Sequence, residues 1–150
     1  MNLLALLLCL LGLWISVYFT GVSYHWISPN VKWIPRFCQL KEATCQLVIE
    51  TPRAKLFGIP NSVYGIGLYT YLIFFFLKRG LAPALPAGRP FGFPDLPLPW
   101  FLGFLGALLA LIRSVYLAYS LLFVTRIPCP LCFTTHGINL FLFIYLWVSR

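Results

Sequence analysis

Acidic residues are nearly absent: Glu42, Glu50 and Asp95 are the only three in 150 residues. Charged residues of both signs make up 9%, where a soluble globular domain typically carries roughly 25%. A chain this poor in polar groups cannot cover a water-facing surface. A soluble enzyme, a disordered chain and a collagen-like fibre are thereby excluded. A cleavable leader is not expected, since Met1-Asn2 supplies no basic start and no small-x-small cleavage site follows before Trp14. The first apolar block therefore reads as a retained helix. No internal repeat is visible.

What the chain does have is apolar surface: 61% hydrophobic and 18% aromatic residues, with a mean hydropathy of +0.89. Four blocks are long enough to cross a bilayer, at residues 3–22, 57–77, 96–124 and 127–149. About 20 apolar residues span ~30 Å of hydrocarbon at ~1.5 Å per residue. Backbone amides in lipid must be satisfied internally, so blocks of this kind are helices. The expected fold is all-α and integral to the membrane: one domain, a four-helix transmembrane bundle. Its extramembrane loop, residues 23–56, joins the first two helices. Residues 81–99 hold six prolines and two glycines and read as a stiff connector. Gly103 with Ala107, and Gly106 with Ala110, give the third helix small residues at i and i+4, which suits close helix approach.

The net charge of +8 does not indicate nucleic acid. Lys32, Arg36, Lys41, Arg53 and Lys55 lie between apolar blocks, and Lys78, Arg79, Arg89 and Arg150 flank them. Bases at membrane borders meet anionic headgroups in this way, and no basic stripe interleaved with aromatics lies along one helix. The positive-inside rule does not orient the protein, because both sides carry several bases. Arg113, alone within a span, is read as snorkelling to an interface.

Five cysteines are present: Cys9, Cys38, Cys45, Cys129 and Cys132. Cys9 reads as a small buried apolar side chain. The others fall as two pairs on one side of the membrane, Cys38 and Cys45 in the loop, Cys129 and Cys132 at the start of the last helix. Proline around a helix start, as in Pro128-Cys129-Pro130, suits the first turn. Amides there stabilise negative charge, which a sulfur nucleophile or leaving group requires. A CxxC so placed is a redox motif. A static staple is the alternative, or a zinc site completed by Cys38 and Cys45, although the loop pair lacks the tight knuckle spacing of most structural zinc sites.

At ~100° per residue, Cys129, Cys132, His136 and Asn139 fall within about 80° of arc. Polar groups at membrane depth usually face the bundle interior and mark function. Asn139 reads as a helix cross-link. His136, one turn from Cys132, is placed to hydrogen-bond a ligand lying against that sulfur. A quinone suits such a pocket, with two carbonyl acceptors and a flat ring. Asn61 is a second candidate donor, with Tyr64 and Leu68 walling the pocket at helical spacing.

These residues resemble the vitamin K epoxide reductase family and its bacterial disulfide-forming homologues. The match runs through Cys38 and Cys45, Phe57-Gly58-Ile59-Pro60-Asn61-Ser62-Val63-Tyr64-Gly65, Ser114-Val115-Tyr116-Leu117-Ala118-Tyr119, and Cys129-Pro130-Leu131-Cys132 continuing to His136 and Asn139. The resemblance implies a quinone (menaquinone, ubiquinone or vitamin K) as electron acceptor and no metal. It implies that Cys132 contacts the quinone with Cys129 as its disulfide partner. Cys45 would attack that pair, and Cys38 would exchange with a thioredoxin-like protein. Asn61 matches a quinone-binding asparagine, while Leu117 and Leu131 match pocket walls. His136 stands where vertebrate members carry a tyrosine.

Disulfide relays persist on an oxidising side. The chain ends in Ser149-Arg150 without a dilysine-like retrieval signal, so the expected place is a bacterial plasma membrane with the cysteines facing the periplasm or exterior. Vitamin K recycling from the ER lumen is the alternative. Two further readings are a structural membrane protein with static disulfides and a small transporter using Arg113 and His136. No acidic partner lies in any span to support an ion path.

Overall fold

The computed structural model describes residues 3–27, 51–81, 98–126 and 129–148. They contain four long helices: α1 (Leu3–Ser23), α2 (Asn61–Leu81), α3 (Leu98–Tyr119) and α4 (Pro130–Val148). Preceding α2 are a 3-10 turn, Pro52–Ala54, and a hairpin of β1 (Lys55–Leu56) with β2 (Ile59–Pro60). A π turn, Ser120–Val124, extends α3.

In their packing, α1 lies mainly on α2 and α3 mainly on α4, while α2–α3 and α1–α4 contacts close the ring. Leu4, Leu7, Phe101, Leu122, Ile144 and Val148 are exposed. Such an apolar exterior is stable only against lipid. Within the described residues, Leu3–Ser23, Leu98–Val124 and Pro130–Val148 are long and apolar enough to cross a membrane. Three of the four expected spans meet that description. The helix α2 has the length, at 21 residues, but Asn61, Ser62, three tyrosines and Lys78 dilute its apolar character.

Helix boundaries differ from the apolar blocks for local reasons. The block expected to start at residue 57 becomes helical only at Asn61. Pro60 has no amide hydrogen and pushes Ile59 out of the α region, so the chain before it is extended. Phe57 and Gly58 turn the hairpin with φ of 53 and 82, the positive values a two-residue primed turn demands. The third helix starts at Leu98, and the last at Pro130.

The α1–α2 interface requires glycine. A Cβ on Gly12 would lie 2.5 Å from Cζ of Tyr69, so the backbone of α1 passes directly over that ring. Gly103 and Ala107 are buried, and the nearest neighbours of Gly103 are Leu72 and Tyr71 of α2. This is the close approach expected of the small residues on α3. One core cluster joins Ala5, Cys9, Tyr69, Leu72, Phe76, Ala107, Ile138, Leu142 and Leu146. A second gathers Ile15, Tyr18, Val22, Cys129 and Leu131 around the start of α4.

Candidate functional site

Pro130 occupies the first position of α4, and the carbonyl of Cys129 accepts the amide of Phe133 at 3.1 Å. Cys129 therefore caps the helix and Cys132 ends its first turn. The two sulfurs have different surroundings. Cys129 is fully buried among Ile15, Tyr18 and Val22, whereas Cys132 is a free, half-buried thiol that lines a cavity.

The cavity holds about 990 Å³, the size of a pocket for a substantial organic ligand. Each part of the fold contributes to its wall. Ser16 and Phe19 come from α1, and Asn61, Tyr64, Leu68 and Tyr69 from α2. Gly106, Arg113, Tyr116 and Leu117 come from α3, and Ser120 and Leu121 from the π turn. The first half of α4 supplies Cys132, Thr135, His136 and Asn139. Arg53 and Leu56 close the side nearest the hairpin.

Most of the expected site residues thus meet at one place: Cys132, His136, Asn61, Tyr64, Leu68 and Leu117 all face the same space. Leu131 does not. It is buried in the cluster around Tyr18, because one residue of helical advance turns it about 100° from Cys132 and towards α1. Cys129, expected on the same stripe, also falls outside the lining. Its position before the first full turn places it behind Cys132. Cys38 and Cys45 lie outside the described residues.

His136 carries the strongest chemical signal. Both Nδ1 and Nε2 are buried and have no hydrogen-bond partner among the described residues, a costly state unless a ligand supplies one. Asn139 is satisfied within the protein. Its Oδ1 accepts the Tyr69 hydroxyl at 2.7 Å and its Nδ2 donates to Ser114 Oγ at 2.8 Å. It is the helix cross-link expected of it, joining α2, α3 and α4.

Arg113 reaches the segment that precedes α2. Its Nη2 donates to the carbonyls of Arg53 at 2.9 Å and Lys55 at 3.2 Å, and its guanidinium lies 5.1 Å from the Tyr116 ring centroid. Arg53 in turn donates to Ser120 Oγ at 3.4 Å, and the Tyr64 hydroxyl donates to the Leu56 carbonyl at 3.2 Å. The hairpin is therefore fastened to both α3 and α2. Sequence reasoning did not find this because backbone carbonyls have no residue-type signature; the lone charge in a span was the only hint. Among the described residues no group of three His, Cys, Asp or Glu is gathered.

The cavity fits a flat, apolar ligand with oxygen acceptors. Its wall carries the rings of Tyr64, Tyr69 and Tyr116, the unpartnered imidazole of His136 and a thiol. The model of the vitamin K epoxide reductase family matches residues 3–147, almost the whole chain, and the protein belongs to that family of membrane oxidoreductases.

Proposed function

We propose that the protein is a quinone-reducing thiol–disulfide oxidoreductase that supports disulfide formation, with four spans and its cysteines on the oxidising side of a bacterial plasma membrane. The observation that carries this reading is the shared cavity of Cys132 and His136, a sulfur beside an imidazole that lacks a partner.

The relay begins with a reduced thioredoxin-like protein. Its thiolate attacks the Cys38–Cys45 disulfide, leaving the partner oxidised and the loop pair as two thiols. Cys45 then attacks the Cys129–Cys132 disulfide through a mixed disulfide, and the loop pair closes again as the helix pair opens. Amides at the start of α4 stabilise the departing sulfur, as exchange requires of a leaving group. Cys132 delivers two electrons into the cavity, the Cys129–Cys132 disulfide re-forms, and two thiol protons are released. A bound quinone supplies the two-electron sink and leaves as hydroquinone. His136 and Asn61 hold its oxygens, while Tyr64, Leu68 and Leu117 pack against it and exclude water.

Purified protein in lipid discs, given a reduced thioredoxin-like partner and a quinone, should lose quinone absorbance with wild type and not with Cys132→Ser. Turnover retained by Cys132→Ser would remove the mechanism. The same assay, given a vitamin K epoxide in place of the quinone, tests the alternative of vitamin K recycling in the ER.

A further inference from the structure

Arg113 is held in an unusual way for a charge inside a long apolar helix. Two backbone carbonyls, those of Arg53 and Lys55, take hydrogen bonds from one terminal nitrogen, and Tyr116 lies beside the guanidinium plane. Nε is buried and has no partner among the described residues. None of the chain's three acidic residues falls among the described residues, so no described carboxylate neutralises this cation. Arg113 lines the same cavity as Cys132 and His136. A guanidinium fixed in direction, partly desolvated and left with a buried donor unused is costly to the protein alone. It becomes favourable when an oxygen acceptor, better still one that gains negative charge, is brought to it.

We infer that Arg113 is a ligand-binding residue of this cavity, its Nε–H donating to an oxygen of the bound quinone while the two hairpin carbonyls fix its orientation. This rests on the quinone reading proposed above. The chemistry gives the residue a purpose during turnover. A dithiol and a quinone become a disulfide and a hydroquinone, with two electrons and two protons transferred, and electron density rises on the ring oxygens as this happens. A fixed cation beside one oxygen favours the reduced form without itself moving a proton. His136, the other cavity residue with buried unpartnered nitrogens, suits the second oxygen.

The test compares two probes that differ only in oxygen: 2-methyl-1,4-naphthoquinone and 2-methylnaphthalene. Their dissociation constants are measured on full-length protein in lipid discs, for wild type, Arg113→Met and Arg113→Lys. Wild type should prefer the quinone. Arg113→Met should weaken quinone binding by about tenfold, the scale of a charged hydrogen bond, and leave the hydrocarbon within about twofold. Arg113→Lys, which keeps the charge but lacks Nε–H, should lose most of the same preference. An equal loss for both probes would show a packing role and overturn the inference, as would full retention by either variant. A wild type with no preference for the quinone would instead refute the functional reading itself. Should Arg113→Met fail to fold, the lysine variant alone decides the matter on the same ratio.

Discussion

The Tyr69 hydroxyl donates to Oδ1 of Asn139 at 2.7 Å, across the space between α2 and α4. The same phenol ring lies under the backbone of α1 at Gly12, and the Asn139 amide continues to Ser114 on α3. All four helices thus meet through one ring and one amide at the floor of the cavity. Tyr69 is 1% exposed, so the bond is made away from water, where an unmade partner is costly.

Removing that hydroxyl should be felt as stability. Tyr69→Phe leaves Asn139 Oδ1 without its donor and should cost about 1–3 kcal/mol. Gly12→Ala brings a methyl group into the same ring and should cost about 1–3 kcal/mol by overpacking. Thermal unfolding in detergent, followed by circular dichroism, measures both. A Gly12→Ala protein as stable as wild type would contradict the close passage of α1 over α2.

The two sulfurs of α4 should react at different rates. Cys129 is 0% exposed, as is Cys9, while Cys132 is half-buried against the cavity. In fully reduced protein, brief treatment with iodoacetamide should label Cys132 well before Cys129 or Cys9. Mass spectrometry of the peptides reads the order. Faster labelling of Cys129 would mean that the sulfur facing the cavity has been misidentified.

His136 should govern ligand affinity more than folding. Its replacement by Phe removes both unpartnered nitrogens and should raise the KM for quinone by about tenfold, the worth of one desolvated hydrogen bond. His136→Gln restores a donor and should recover part of that loss. Unfolding temperatures close to wild type are expected for both, because no bond within the protein is broken. An unchanged KM in His136→Phe would place the ligand elsewhere.

The hairpin turn has its own prediction. Gly58 takes φ of 82 and Phe57, at 91% exposure, takes 53. A β-branched residue is strongly disfavoured at positive φ, so Gly58→Val should loosen the segment that Arg113 holds. Hydrogen exchange of the amides in residues 53–60 should then speed up while α1 and α4 stay protected. Unchanged exchange would show that the turn is not what shapes the segment.

Much of this arrangement was legible in the residues, and the failures have physical causes. Long apolar runs identified where helices lie, because in lipid a run of that length has few other conformations. Cys132, His136 and Asn61, which line one cavity, drew notice in the sequence because reactive and polar side chains stand out on apolar helices. Leu131 was misplaced because a leucine beside a site looks like any other leucine, and only the rotation of α4 says which way it faces. The start of α2 was misplaced by reading hydropathy across Pro60, where backbone geometry overrides it. Arg113 was visible, but its partners were not, since they are main-chain oxygens brought near by the hairpin. Cys38 and Cys45 lie outside the described residues, while Cys129 and Cys132 have a defined environment.

The wide turn at Ser120–Val124 sets the aim of the last residues of its helix. Its 6→1 winding, in which the Ser120 carbonyl takes both the amide of Thr125 at 2.9 Å and its hydroxyl at 3.1 Å, accommodates one residue more than an α turn would. Deleting a single residue there would let ordinary winding resume and swing the rest of the turn by about 100°. Ser120 and Leu121 of this turn line the cavity, so the slack residue acts as a shim that keeps that stretch of wall aimed inward.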